Sequence, residues 1–366
     1  MSIIEDMIAQ YCPDGVRRVK LDDLLDYEQP TKYIVKSTDY DDSFTTPVLT
    51  AGQTFILGYT DEEDGHYLAS KGKPVIIFDD FTTGSHWVDF EFKVKSSAMK
   101  MLSPKNNEND FRYIYYAMSN IDFVPTTHSR HWISVYSQFE IPLPDISIQR
   151  KIVDYLCKFE ELISELEEDL KYRKMQADYF KNKLFSGNSD ATTKQLSECC
   201  SLEKGKTPIQ KAVAGEYPLV VTTSERKSSK DYQFDRPAVC VPLVSSRGHG
   251  VACLNQVYYQ EGKFALGNIL CAVTPLDSSE LSAKYLYYFL NHKKDYLIVP
   301  LMKGGANVSL TVDSLKTVKV VIPSLSEQDE IIHTLERFDE LCECIEEEIA
   351  ARREQYEFYR KQLLSI

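Results

Sequence analysis

Few side-chain groupings in this chain have the types and spacing of reactive chemistry. Gly205-Lys206-Thr207 resembles the end of a phosphate-cradling loop. Such a loop needs a glycine five residues earlier, and position 200 is Cys, so a turn is expected. Asp79-Asp80 could offer carboxylate oxygens to a divalent cation, yet it closes the apolar run Pro74-Val-Ile-Ile-Phe, which fits a strand-end turn better. The one histidine cluster is His128-Ser129-Arg130-His131, and it lacks metal-ligand spacing such as His-Glu-x-x-His. No Gly-x-Gly-x-x-Gly follows a strand, and no Asn-Pro-Pro-Phe or Asp-Pro-Pro-Tyr is present to position an adenine amino group. Catalysis by this chain alone is therefore not expected. The cysteines are Cys12, Cys157, Cys199, Cys200, Cys240, Cys253, Cys271, Cys342 and Cys344. An odd number without a Cys-x-x-Cys pair predicts free thiols in a reducing cytoplasm.

A chain of 366 residues suggests about two globular units. No apolar run reaches about 18 residues, so no membrane span is expected, and the acidic N-terminal stretch does not read as a secretion signal. The net charge is −13, whereas nucleic-acid binders usually carry a basic footprint. The charge is uneven. Residues 1–144 hold 13 Lys and Arg against 22 Asp and Glu, and residues 187–323 hold 16 against 12. Only the second of these regions is positive, so a DNA-binding role would need a partner to supply phosphate contacts.

The elements that must position these residues repeat. Residues 144–186 align without a gap to residues 323–365, at an offset of 179. Identical pairs include Pro144/Pro323, Ser147/Ser326, Gln149/Gln328, Leu156/Leu335, Phe159/Phe338, Arg173/Arg352 and Leu184/Leu363. Weaker echoes lie upstream: Tyr113-Ile-Tyr-Tyr-Ala-Met resembles Tyr285-Leu-Tyr-Tyr-Phe-Leu, and Val19-Lys-Leu resembles Lys194-Gln-Leu. A duplicated unit of nearly half the chain follows. Each matched tract predicts a long helix with Ser147 or Ser326 as its N-cap. Apolar residues at spacings of three and four form a coiled-coil seam: Leu156, Phe159, Ile163, Leu166 and Leu170, then Ala177, Phe180 and Leu184 in the first copy, and Leu335, Phe338, Cys342, Ile345 and Ile349, then Tyr356, Tyr359 and Leu363 in the second. The seam spans about 42 Å. Arg173 and Arg352 interrupt it at matching places. Either their stems pack and their heads reach solvent, or each pairs with an acid of the opposing helix, such as Glu343, Glu346 or Glu347.

The intervening regions look mixed α/β. Candidate strands are Pro74–Phe78, Trp87–Phe92 and Phe139–Ile141, with Ala238–Leu243, Ile269–Val273 and Val318–Ile322 as counterparts. The two Tyr-rich runs look like buried helices. Asp61–Gly65 and Ser224–Asp231 look like polar loops.

The pattern Pro-x-x-Ser-x-Gln-x-x-Ile opens both helices, at Pro144, Ser147, Gln149, Ile152 and at Pro323, Ser326, Gln328, Ile331. With the duplication, it resembles the specificity subunits of type I restriction–modification systems. Cys12-Pro-Asp-Gly, Thr46-Pro-Val-Leu-Thr-Ala-Gly, Gly72-Lys-Pro-Val-Ile-Ile-Phe-Asp-Asp-Phe and Asp235-Arg-Pro-Ala-Val-Cys-Val-Pro resemble segments of that family's target recognition domains. The resemblance covers nearly the whole chain.

It implies an α+β chain with a pseudo-two-fold internal repeat: recognition domains at 1–145 and 189–324, and spacer helices at 146–188 and 325–366 that pack antiparallel between them. It also implies double-stranded DNA as ligand, with each domain reading half of a bipartite site. Two methyltransferase subunits would dock on the helices and restriction subunits would join. S-adenosylmethionine, ATP and magnesium would belong to those partners, and this chain would bind no cofactor or metal and meet no membrane. Half-sites one helical turn apart lie about 34 Å from each other, and the helical seam is a suitable ruler. Candidate DNA contacts are Lys71, Lys73, His128, Arg130 and His131 in the first domain, and Arg226, Lys227, Arg247, Lys303 and Asn307 in the second. All lie in polar stretches holding Gly or Ser. Candidate helix-pairing and docking residues are the seam residues with Arg173 and Arg352. The competing readings are an interaction scaffold that binds no DNA and a nuclease centred on Asp79-Asp80.

Overall fold

The computed structural model describes residues 2–50, 54–186 and 191–366. Two compact units divide the chain: Met1–Glu167 with Glu348–Ile366, and Glu168–Glu347.

The first unit opens with α1 (Ser2–Tyr11), β1 (Arg17–Lys20), α2 (Leu21–Leu24), β2 (Leu25–Glu28), β3 (Thr46–Leu49) and β4 (Ile56–Thr60). It continues through β5 (Val75–Asp79), β6 (Ser85–Val88), β7 (Lys93–Val94), β8 (Met99–Pro104), α3 (Phe111–Ser119) and β9 (Glu140–Leu143) into α4 (Ile146–Leu184). Three sheets form, in the orders β2-β8-β5-β6, β4-β3-β7 and β1-β9. The β-branched and aromatic run of β5 is buried throughout because both faces are covered. Ile76 and Phe78 join the core under α3, while Val75 and Ile77 join the core under the sheet of β3. Asp110 starts α3 by accepting the N–H groups of Arg112 and Tyr113.

The second unit repeats this order. It runs through β10 (Thr192–Gln195), α5 (Leu196–Cys199), β11 (Cys200–Lys204), β12 (Tyr217–Val220), β13 (Lys227–Ser229) and β14 (Ala238–Pro242). Then come β15 (Tyr258–Gln260), β16 (Ala265–Leu266), β17 (Leu270–Pro275), α6 (Ala283–Leu297), α7 (Val312–Lys316), β18 (Lys319–Ile322) and α8 (Leu325–Leu364). Its sheets are β11-β17-β14-β15, β13-β12-β16 and β10-β18, strand for strand those of the first unit. β14 divides its residues in the same way: Val239 and Val241 face one core, Ala238 and Cys240 the other.

Each Gln of the helix-start motif is buried and makes matched bonds. The Gln149 side chain accepts the Asp110 N–H at 2.9 Å and donates to the Pro144 carbonyl at 2.8 Å. Gln328 accepts the Ser282 N–H at 2.8 Å and donates to the Pro323 carbonyl at 2.9 Å. Tyr113 and Tyr285 donate to the carbonyls of Pro142 and Val321, 179 residues apart. The Pro-x-x-Ser-x-Gln motif thus ties the helix start to α3 or α6.

Several expectations need correction. The strand matching Ile269–Val273 is β8, not Trp87–Phe92, whose partner in the repeat is β15. Ser224–Asp231 contains β13. The helix caps lie earlier than Ser147 and Ser326. Asp145 accepts the N–H and hydroxyl of Ser147, and Ser324 exchanges bonds with Glu327. The helix of 146–188 ends at Leu184, and its last two residues, with the 188/189 boundary, lie outside the described residues. Each long helix is shared between units, so the compact bodies do not follow contiguous segments.

Candidate nucleic-acid interface

Within each unit the long helices pair antiparallel. In the first, Phe159 stacks on Tyr359 at 5.7 Å, Tyr356 donates to Glu160 at 2.9 Å, and Arg353 pairs with Glu167. In the second, Phe180 stacks on Phe338 at 5.4 Å and Lys174 pairs with Glu346 at 2.6 Å. The repeat maps Phe159 onto Phe338 and Tyr359 onto Phe180, and it maps Arg353–Glu167 onto Lys174–Glu346. One packing scheme therefore serves both ends. Leu156 and Leu335 are fully buried; Ile345, Ile349 and Leu363 are buried; Phe159, Ile163, Leu166, Leu170 and Phe338 are half-buried. Arg173 and Arg352 do not cross to the other helix. Arg173 binds Asp169 and Gln176 of its own helix, and Arg352 binds Glu348 and Gln355. Ion pairs that do cross come from the next residues, Lys174 and Arg353, and from Lys181, which lies 3.9 Å from Asp339.

The helices are tied to the globular parts by matched tyrosines. Tyr116 donates to Glu160 at 2.8 Å, and Tyr288 donates to Asp339 at 3.1 Å. Burial, with the facing carboxylates, pushes both phenols above their ordinary range. Arg112 joins Glu160 at 2.7 Å and lies over the Trp87 ring. Burial works against its charge, but Tyr116 and Glu160 outweigh it and hold the proton more firmly.

At the C-terminal end of β5 and β14, two loops meet in each unit. In the first, the β5–β6 turn lies against the segment before β9: the His131 N–H donates to the Asp80 carbonyl at 2.8 Å, and Phe81 stacks on His128 at 4.7 Å. In the second, the Leu310 N–H donates to the Leu243 carbonyl at 2.8 Å. The much longer loop after β14 is tied to the Lys303–Ser309 hairpin through Ser245 N–H to Val308 O and Gly250 N–H to Ala306 O. Ser245 and Ser246 brace that loop internally, through bonds to Val251, Cys253 and Asn255.

The candidate DNA-contact residues separate into groups. His128 and Arg130 are exposed in the loop pair of the first unit; Arg247, Lys303 and Asn307 are exposed in that of the second. Lys71 and Lys73 flank a tight turn at the opposite end of β5. Lys227 lies exposed on β13. Two of the candidates are engaged within the fold. His131 is 5% exposed, packs on Phe123 and lies 3.2 Å from the Thr127 carbonyl, so its ring faces the interior. The Arg226 guanidinium is engaged by Gln260, Ser224 and Tyr259.

Asp79 and Asp80 serve the fold. Asp79 accepts the N–H groups of Phe81 and Thr82. Asp80 is buried, pairs with the buried Lys100 at 2.8 Å and accepts the Trp132 N–H at 2.9 Å. Gly205 passes so close to the Gly267 carbonyl that no side chain would fit, and it leads to no helix. Among the described residues no cluster of three His, Cys, Asp or Glu could hold a metal, and no helix is long and apolar enough to cross a membrane.

Sequence reasoning missed Thr83 and His249. Among the described residues they are the only non-glycine residues with positive φ, both at 61°. Gly248-His249-Gly250 and Lys303-Gly304-Gly305 were the available signals of tight loop geometry.

Known proteins resemble the chain along its whole length. The family model for the type I restriction modification DNA specificity domain matches residues 13–173 and again 188–352. The EcoR124I/EcoR124II specificity subunit of Escherichia coli is 36% identical, over 100% of this chain and 97% of that protein. A type I restriction enzyme specificity subunit of Haemophilus influenzae is 26% identical over 86% of each chain. Among solved structures, the type I restriction–modification S subunit from M. genitalium superposes with a TM-score of 0.64 at 16% identity, covering 96% of both chains. With the family model matched once in each half of a duplicated fold, the chain belongs to the type I restriction–modification specificity subunits.

Proposed function

We propose that each unit reads one half of a bipartite DNA site, that the paired helices set the spacing between halves, and that the chain itself catalyses nothing. The observation that carries this reading is the exact correspondence of sheet order between the units, combined with loops of different length at the same strand ends. One scaffold with two loop sets suits two different half-sites. α4 is 39 residues long and α8 is 40, or about 58–60 Å of helix each. Both are shared between the units, which suits a spacer role.

Two methyltransferase subunits are the proposed partners on the helices, with restriction subunits joining that complex in the cytoplasm. S-adenosylmethionine, ATP and magnesium belong to those partners under this proposal. The acidic character of the first region favours shared DNA binding, because Lys and Arg contacts to phosphate dominate affinity and its salt dependence. Lys71, Lys73 and Lys227 are proposed as phosphate contacts. The test is co-purification with a methyltransferase subunit, followed by DNA binding at two salt concentrations. Tight, salt-sensitive binding is expected of the complex and weak binding of the isolated chain. Tight specific binding by the chain alone would contradict the shared-binding proposal, and a complex that binds no DNA would favour the scaffold reading.

A further inference from the structure

We infer that bases are read at one defined place in each unit: the loop pair at the C-terminal end of β5 or β14. In the second unit Arg247 and Asn307 meet base edges while Lys303 holds phosphate. In the first, His128 and Arg130 occupy the equivalent place. This inference rests on the DNA-reading function proposed above.

Four observations converge on it. The first is equivalence. The carbonyl after β5 accepts the His131 N–H, the carbonyl after β14 accepts the Leu310 N–H, and these donors are 179 residues apart, the offset of the repeat. His128 and Asn307 are separated by the same 179. The second is backbone strain. Thr83 and His249, the two non-glycine outliers among the described residues, each lie in the first loop of this pair in their own unit. Left-handed residues of this kind persist where surrounding structure over-determines them, and they cluster at functional sites.

The third is charge. Residues 243–257 and 298–312 contain no Asp or Glu, and neither do 81–88 and 123–139, in a chain of net charge −13. Phosphate would repel acids; even in the acidic first region the one acid of the β5–β6 turn, Asp80, is buried against Lys100. The fourth is availability. Arg247 and Lys303 make no ion pair with described residues, and no side-chain bond from Asn307 or Arg130 reaches a described residue. Ser245 and Ser246 brace the loop that carries Arg247, so the side chain projects from a fixed backbone.

The chemistry fits base edges in the major groove. An Arg fork matches the O6 and N7 acceptors of guanine, and an Asn amide matches N6 and N7 of adenine. The second unit is therefore expected to read a half-site containing both bases, and the longer loop after β14 gives it the larger reading surface.

The test uses the full chain in complex with its methyltransferase partner. The methylated motif is mapped for wild type, R247A, R247K, N307A and the K71A/K73A double variant. R247A and N307A are each expected to relax one position of one half-site by about 5- to 150-fold, leaving the other half intact. R247K retains charge but not the bidentate fork, so it should also relax that position. K71A/K73A, which removes proposed phosphate contacts, should weaken methylation evenly at all sites while the motif stays the same. The inference is overturned if R247A and N307A methylate the parent motif with undiminished discrimination, if they lose methylation uniformly with the motif unchanged, or if both half-sites change together. A wild-type complex with no sequence-dependent methylation would instead sink the underlying DNA-reading function.

Discussion

The two units share one strand order but solve the same buried position with opposite chemistry. In the first, Asp80 and Lys100 form an ion pair with both side chains 1% exposed. In the second, the equivalent positions are Leu243 and Cys271, both in one apolar core. The equivalence is exact in register: Phe78 faces Lys100 across β5 and β8, as Val241 faces Cys271 across β14 and β17. The fold therefore tolerates either solution. What the ion pair adds is local. Asp80 also accepts the Trp132 N–H, fixing the short turn of the first unit against the segment that carries His128 and Arg130. The second unit fixes its longer loop through Ser245 and Ser246 instead.

Breaking the pair gives the largest expected effect. Asp80→Asn leaves Lys100 charged and buried, and should destabilise the first unit by about 3–5 kcal/mol. The double change Asp80→Leu, Lys100→Cys, copying the second unit, should recover part of that loss because no charge stays buried, while the Trp132 N–H left without its acceptor and the smaller Cys side chain keep it below wild type. Hydrogen exchange at β5 and β8 reads this unit by unit, which a global melting curve of a two-unit chain does not. A double variant as unstable as Asp80→Asn would show that the units are not interchangeable at this position.

The buried glutamines come next. Gln149→Ala and Gln328→Ala should each cost about 2–4 kcal/mol, because each strands buried backbone groups. Near-equal losses, measured by exchange at β9 and β18, would sharpen the claim of equivalence. A twofold or larger disparity would break it.

A smaller effect separates the units by pH. Lys93 is buried against Glu62 at 3.0 Å in the first unit, where the second has Ala265. Burial opposes ionisation of Glu62, but the N–H groups of Ser37 and Lys36 and the Lys93 ammonium outweigh it, leaving its pKa below the ordinary 4.5. A lowered carboxylate contributes stability above its unfolded pKa and loses it as pH falls through the folded one. Protection of the Lys36 and Ser37 amides should therefore fall on acidification below about pH 4.5, and Glu62→Gln should abolish that dependence. An unchanged acid profile in the variant would assign the effect elsewhere.

The smallest change is expected at the seam arginines. Arg173→Ala and Arg352→Ala remove same-helix pairs at partly exposed positions, each worth about 0.3–0.5 kcal/mol. Circular dichroism and sedimentation should show intact helices and an intact complex with the methyltransferase. Loss of the complex would restore a pairing role that the geometry does not support.

Legibility in sequence followed periodicity. The duplicated seam was readable because every third or fourth residue is apolar and repeats at one offset. β5 and β14 were readable because strands covered on both faces need continuous apolar runs. β8 escaped notice because Lys100 interrupts its apolar run, and only Asp80, distant in sequence, explains a lysine there. The caps were misplaced by two residues because Asp145 and Ser324 differ between the copies, whereas Ser147 and Ser326 are identical. His131 and Arg226 looked like surface cations because local composition was polar; their partners Phe123, Gln260 and Tyr259 were set by tertiary packing. The strained turns at Thr83 and His249 left no residue-type signature beyond neighbouring glycines.

The most direct test of the whole account is to map methylated adenines in a host carrying this chain with its methyltransferase partner, against the same host carrying the methyltransferase alone. The account predicts a motif of two short halves separated by a fixed run of unread bases, present only with the chain. A single uninterrupted motif, or the same pattern in both hosts, would contradict it.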